Sequence, residues 1–332
     1  MLSQKILITG GAGFIGSHLT DELLRREHHV VVVDNLINGK RSNLREAEEY
    51  PGFTFLEADI LDEQVMNRAM KGVDVVFHLA CLGVRHSIHS PFENHRVNAE
   101  GSLIVLEAAR KQGVKKFFYI STSEIYGDIR QFPIAEDGVP LPKTVYGSSK
   151  LAGENYAYSY YKCYGMDVTI TRIFNNYGPR AHYEGDAGEV IPRSIVSILY
   201  GKAPIIFGDG SVTRDFFYVK DTARALGDLM ERSDIKGEII NIGTGEEITM
   251  KHLLTTLLTL MGKDKEMSIE YLEDRPADVP RLWVNPAKFR KLTGFQSEFS
   301  FESGLLETIA YYGKLMQERD LMSEIKVKNW EK

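Results

Sequence analysis

The strongest constraint on the fold is a glycine-rich turn between an apolar run and an amphipathic one. Lys5–Thr9 (KILIT) reads as a β-strand, and Ser17–Arg26 carries apolar residues at helical spacing. Gly10-Gly11-Ala12-Gly13-Phe14-Ile15-Gly16 joins them, with G-x-x-G-x-x-G at Gly10, Gly13 and Gly16. Such a turn lets the backbone bend sharply and approach a pyrophosphate, while the helix N-terminus supplies free N–H groups and a favourable dipole. The glycines alone also suit an ordinary strand-to-helix turn, so the context matters. A second apolar run, Val30–Asp34 (VVVVD), ends on an acid, with Asn35 next. A carboxylate there accepts ribose hydroxyls and repels a 2′-phosphate, which favours NAD over NADP. Lys40 and Arg41 follow closely and leave a route to NADP. Asp59 and Ile60, after the third strand, are placed to meet adenine; a plain loop aspartate is the alternative.

Strand-like and helix-like segments alternate through the first half. The expected strands are Lys5–Thr9, Val30–Asp34, Phe53–Ala58, Val73–Leu79, Lys116–Ser121 and Val168–Ile173. The expected helices are Ser17–Arg26, Glu63–Met70, Glu93–Lys111 and Lys150–Tyr164. Runs such as VVVVD do not alternate, which suits strands buried on both faces. The pattern predicts an α/β fold: a Rossmann-type, doubly wound parallel sheet over residues 1–174. A smaller C-terminal α/β substrate lobe is expected over 175–330, with elements crossing back into the sheet. There Pro192–Tyr200, Val219–Glu231 and Thr249–Met261 read as helices and Asp215–Val219 as a short strand. The polar stretch Gln317–Lys332 reads as a surface helix or an unordered tail.

Several function classes are excluded. A formal net charge of −6 argues against nucleic-acid binding, which needs a basic excess. No apolar run approaches the roughly 20 residues of a membrane span, and the N-terminus lacks signal-peptide character. Cys81 and Cys163 are too few for a disulfide framework and suit reduced thiols in the cytoplasm. No His, Asp and Glu grouping has metal-ligand spacing, so no metal is expected.

Further motifs carry a family resemblance. They are ITGGAGFIGSHL at 8–19, FHLA at 77–80, STSEIYG at 121–127, YGSSK at 146–150, NNYGPR at 175–180, GDG at 208–210, TRDFFYV at 213–219, NIGTG at 241–245 and RPADV at 275–279. Together, from Lys5 to about Tyr312, they resemble the extended short-chain dehydrogenase/reductase family. Its members include nucleotide-sugar 4-epimerases, 4,6-dehydratases and uronate decarboxylases. Tyr146 and Lys150 form Y-x-x-x-K, one helical turn apart and able to share a face. A neighbouring ammonium favours phenolate, so Tyr146 can take a sugar hydroxyl proton while the carbon gives hydride to NAD. The resemblance implies that Lys150 also holds the nicotinamide ribose and that Thr122 bonds the reacting hydroxyl. It places Leu79 and Ala80 beside the cofactor, and Arg85 and Asn175 near the sugar or phosphates. Arg214 and Arg275 are then the diphosphate partners, since guanidinium suits bidentate phosphate contact. His78 reads as a core or cofactor-flanking histidine. The resemblance also implies a homodimer in which helices 93–111 and 150–164 form a four-helix bundle. Tyr156, Tyr160 and Tyr161 belong to its face or to the internal core.

Ser123-Glu124 bears on the reaction that follows oxidation. Typical 4-epimerases resemble S-S-A-A-V-Y-G here, with a small residue in place of Glu124. Thr-Ser-Glu is similar to some 4,6-dehydratases and to uronate decarboxylases. RPADVPRLWVNPAK at 275–288 resembles a dehydratase segment, whereas decarboxylases carry an arginine nearer Leu282–Val284. Arg281 is the nearby candidate. These features favour 4,6-dehydration, with 4-epimerisation and then decarboxylation as alternatives. A different class, a dinucleotide-binding sensor without catalysis, is disfavoured by the intact Thr122, Tyr146 and Lys150.

Overall fold

The computed structural model describes residues 3–274 and 279–330. The expected apolar runs form parallel strands β1 (Lys5–Thr9), β2 (His29–Asp34), β3 (Phe53–Glu57), β4 (Val75–His78), β5 (Lys116–Thr122) and β6 (Val168–Ile173). Strand Ile239–Ile242 crosses back and pairs with β6. This gives a seven-stranded sheet in which β1 lies between β2 and β4, with β3 at one edge and Ile239–Ile242 at the other. Chain direction reverses its sense of progression between β1 and β4, which opens a crevice at the carboxyl ends of these strands, where open α/β sheets bind ligands.

Both faces are covered, and the side chains of β1 show how. Ile6 and Ile8 pack into one apolar layer with Leu19 and Leu23 of helix α1 (Phe14–Arg25); Leu7 enters the opposite layer with Val105, Leu106 and Tyr160. This two-residue alternation with apolar side chains on both sides is why the strands read as unbroken apolar runs. Helix Val219–Met230 supplies Leu226 and Leu229 to the α1 layer. Residues beyond 175 therefore contribute a strand and a helix to the sheet unit. A separate core holds the remaining lobe, with Ile191, Ile195, Leu253, Leu257, Leu305 and Tyr312 buried together.

Several boundaries move. Helix α1 begins at Phe14, inside the glycine motif, and α2 spans Glu63–Ala69. The helix expected from Glu93 starts at Pro91 and continues to Lys111 through a wide π turn at Arg96–Glu100. The helix expected from Lys150 begins at Val145, because the Thr144 side chain caps it by accepting from Gly147 N at 3.1 Å. The strand expected at Asp215–Val219 shrinks to Phe217–Tyr218; the Asp215 carboxylate is instead buried, accepting from Thr244 N and Gly245 N. Tyr160 is buried within the chain, and Tyr156 and Tyr161 pack against the same core. Tyr156 and Tyr161 stay half-buried, and Phe92, Leu103 and Tyr158 on these helices are exposed. Gln317–Lys332 divides: the helix Phe301–Glu318 ends early in it, and the chain then folds back onto the lobe. No helix among the described residues is long and apolar enough to cross a membrane.

Candidate active site

The glycine turn works through close approach. Gly10 has φ +72°, and a Cβ there would sit 2.7 Å from Ala80 N. A Cβ on Gly16 would run into the Gly10 carbonyl oxygen. The loop therefore lies flat against β4's end, and helix α1 opens toward a cavity of about 870 Å³. Gly10, Gly13, Phe14, Ile15 and Gly16 line it, as do Asp34, Asn35, Ile60, Leu79 and Ala80. Asp59 does not: its carboxylate accepts from Leu61 N at 2.8 Å and from Asn35 Nδ2 at 3.0 Å, bracing the residue that does line the wall.

The Asp34 carboxylate accepts from Ala12 N (3.0 Å) and Leu36 N (2.8 Å), which ties the end of β2 to the glycine loop. Burial pushes its pKa up from the ordinary carboxylate value, against those two bonds. The cations that could have welcomed a 2′-phosphate are engaged elsewhere. Lys40 pairs with Glu184 at 2.6 Å and Arg41 with Glu48 at 2.6 Å. His78 is fully buried between the Thr9 hydroxyl (2.7 Å) and the Ser102 hydroxyl (2.9 Å), and burial drives its pKa down to about 3. It is a neutral brace between β1 and the helix ending at Lys111. Buried Ser121 Oγ, at the end of β5, lines the cavity with no hydrogen-bond partner among the described residues. A flat glycine cradle, an acid at the end of β2 and an unsatisfied hydroxyl over the sheet's crevice fit a dinucleotide.

The helix Val145–Tyr164 carries the reactive pair in its first two turns. Tyr146, Lys150, Thr122, Ser123 and Glu124 all line the cavity. The Tyr146 phenol hydrogen-bonds Thr122, and the nearby Cys81 thiol and Glu124 carboxylate add negative influence. Burial, the largest influence, pushes the Tyr146 pKa well above its usual value, with only the Thr122 bond opposing. Lys150 is spent differently: its ammonium donates to the Ile120 carbonyl at 2.7 Å and sits 4.5 Å from the centre of the Tyr119 ring. Burial would lower its pKa, but the Tyr119 phenol and the Cys81 thiol hold it above the ordinary value, so it stays charged. Cys81 was not among the sequence-derived site residues; the FHLA motif stops one residue short of it.

Arg85, Asn175 and Arg214 line the same cavity. Asn175 Oδ1 is buried without a partner among the described residues, and Arg214 Nη1 donates to the Val279 carbonyl at 2.7 Å. Arg275 lies outside the described residues. Sequence reasoning missed the loop 182–190 and the aromatic end of the cavity. Glu189, before the helix Val190–Leu199, faces His182 and Arg85; burial raises its pKa to about 7. Phe207 and Trp330 also line the cavity, with ring centroids 4.9 Å apart. Neither sits in a spacing that flags a ligand; the GDG turn after Phe207 was the available signal.

The fold and this site define a dinucleotide-dependent enzyme. The chain belongs to the NAD dependent epimerase/dehydratase family, whose model matches residues 6–243. NAD is its cofactor, and Gly10–Gly16, Asp34, Tyr146 and Lys150 are the residues that fit it. It is 36% identical over 307 residues to a putative UDP-glucose 4-epimerase of Methanocaldococcus jannaschii, covering 92% of this chain and 97% of that one. It is also 36% identical over 329 residues to a UDP-N-acetyl-alpha-D-glucosaminuronate decarboxylase of Bacillus cytotoxicus, covering 95% and 99%. The crystal structure of DesIV, a dTDP-glucose 4,6-dehydratase of Streptomyces venezuelae with NAD bound, superposes with a TM-score of 0.89. It is 31% identical, with 95% of this chain and 99% of that chain covered.

Proposed function

We propose that the chain dehydrates a nucleotide-diphosphate sugar across C4 to C6 through a 4-keto intermediate. The observation that carries this reading is Glu124, a carboxylate lining the same cavity as Tyr146 and near enough for its charge to act on that phenol. Its position is fixed locally, since Glu124 N donates to Thr122 Oγ1 at 3.2 Å in the turn that ends β5. Tyr146, as phenolate, takes the C4 hydroxyl proton, with Thr122 orienting that hydroxyl. When bound, NAD would supply the hydride acceptor for oxidation at C4 and the hydride donor for reduction at C6. Glu124 removes the C5 proton, acidified by the ketone; the C6–O bond breaks, and the hydroxyl leaves as water by taking a proton from solvent, which balances the C4 hydroxyl proton released through Tyr146. A proton then returns to C5 as C6 is reduced. Lys150 holds its charge beside the site, and Asn175, Arg85 and Arg214 orient sugar and diphosphate.

A second reading, 4-epimerisation, is favoured by Ser123. It is a buried hydroxyl where an acid would serve the departing C6 oxygen. Decarboxylation would recruit Arg281, which instead pairs with Glu247 at 2.7 Å and stacks over Phe132 and Trp283, outside this cavity.

The test is turnover of UDP-, dTDP- and GDP-sugars in deuterated water. Dehydration predicts a product lighter by one water and carrying deuterium at C5. Glu124→Gln then stalls at the 4-keto sugar with reduced cofactor accumulating. An active enzyme whose product keeps its mass and gains no deuterium on carbon overturns dehydration in favour of epimerisation.

A further inference from the structure

The chain after helix Phe301–Glu318 folds back to become a wall of the cavity. Its anchors are specific. Asn329, 1% exposed, donates through Nδ2 to the Gly188 carbonyl at 2.8 Å and to the Asp186 carbonyl at 3.4 Å. Buried Arg193 donates through Nη2 to the Lys326 and Val327 carbonyls at 2.7 and 2.8 Å. These bonds fix the backbone of 326–329 against the loop before the helix Val190–Leu199. They also deliver Trp330 to the cavity, where its ring meets Phe207 edge to face, with centroids 4.9 Å apart and planes at 79°.

The neighbours of that ring pair say what this part of the cavity receives. Met250 N donates to the Val212 carbonyl at 2.9 Å, and Arg214, two residues on from Val212, lines the same cavity as Phe207 and Trp330. A nucleotide sugar reacting at Tyr146 sends its diphosphate toward Arg214 and its base beyond. The surroundings there are Ile206, Val212, Met250, Phe207 and Trp330, which are apolar or aromatic. Flat aromatic walls suit the π-face of a base and do not select among bases.

Resting on the reading of the substrate as a nucleotide-diphosphate sugar, we propose that the segment 326–330 is part of the nucleotide site, with Trp330 packing against the base. Asn329 and Arg193 are positioning residues for that wall. The segment holds both the base and the loop that carries Glu189, so it couples nucleotide binding to the order of the sugar-side wall.

The experiment measures binding of UDP, dTDP, GDP, inorganic pyrophosphate and NAD by calorimetry. It compares the full chain with Trp330→Ala and Trp330→Phe. Because the chain has two tryptophans, fluorescence in a Trp283→Phe background reports Trp330 alone. The expected result is quenching by a nucleoside diphosphate and a Kd raised about tenfold in Trp330→Ala, the scale of one base–aromatic contact. Recovery in Trp330→Phe and unchanged NAD and pyrophosphate affinity complete it. An unaltered nucleotide Kd in Trp330→Ala overturns the proposal alone. So does equal weakening of NAD and pyrophosphate, which would mark general disruption. If no nucleoside diphosphate binds the unaltered chain, both this proposal and the substrate reading fall.

Discussion

The two walls of the cavity are built in opposite ways. The cofactor wall is short-range: Gly10 to Gly16, the end of β2 at Asp34 and the end of β4 at Leu79–Ala80 lie on adjacent strands of one sheet. The substrate wall is collected from afar: Arg85, the loop 182–190, Phe207, Arg214 and Trp330 come from separate elements tied by side-chain bonds such as Asn329 to Gly188. The first wall is rigid because backbone geometry leaves no room for change. The second is held by polar contacts that can be altered one at a time. Sugar chemistry can therefore vary on the second wall while oxidation stays fixed on the first.

The largest expected effect falls where the walls meet. Tyr146→Phe removes the proton acceptor and should lower turnover about 10²–10⁴-fold, the scale of one acid–base group. NAD titration should give a nearly unchanged Kd, since Lys150 keeps its bond to Ile120. Near-normal turnover in this variant would remove Tyr146 from the chemistry and break the division between the walls.

A smaller effect tests the rigidity of the cofactor wall. Gly16→Ala drives a methyl into the Gly10 carbonyl. Strain from such overpacking costs about 1–3 kcal/mol, read as a lower denaturation midpoint. NAD affinity should fall with it. A methyl on Gly185, which meets nothing within 4 Å but has φ +53°, should spare NAD affinity. Equal loss of NAD binding in both variants would show that the walls are not independent.

The smallest effects are in pH dependence, and the walls carry opposite signs. His78 on the cofactor side is lowered to about 3 from 6.5 by burial. The unfolded chain takes up its proton first, so stability from this group is lost as pH falls from about 6.5 toward 3. Glu189 on the substrate side is raised to about 7 from 4.5 by burial. The folded chain holds its proton longer, so stability is lost as pH rises from about 4.5 through 7. Each group contributes at most about 1.4 kcal/mol per pH unit. Chemical denaturation of Glu189→Gln against the unaltered chain should remove the high-pH loss and leave the acid-side loss. If Glu189→Gln changes neither limb, Glu189 is not held protonated by the substrate wall.

What the sequence determined by itself was whatever rests on near neighbours. The strand-turn-helix around Gly10, the acid closing β2 and the four-residue spacing of Tyr146 and Lys150 are fixed by local dihedral limits and helical period. All three read correctly, although the Thr144 cap moved the start of the helix Val145–Tyr164 to put Tyr146 inside it. Glu124 was visible because it lies two residues after Thr122. What tertiary structure decided was whatever depends on which distant groups share one low-dielectric space. Helical spacing left open whether Tyr156, Tyr160 and Tyr161 face inward; packing buries Tyr160 and half-buries the other two against the same core. The motif containing Arg281 could not show that Glu247 would engage it. The Y-x-x-x-K spacing could not show how deeply Tyr146 is buried or that this burial raises its pKa, because desolvation depends on every element that covers a group. Trp330 lies in a stretch with no period and no motif. Its place opposite Phe207 follows from Asn329 and Arg193 satisfying buried backbone carbonyls, a constraint that exists only once the chain has folded back.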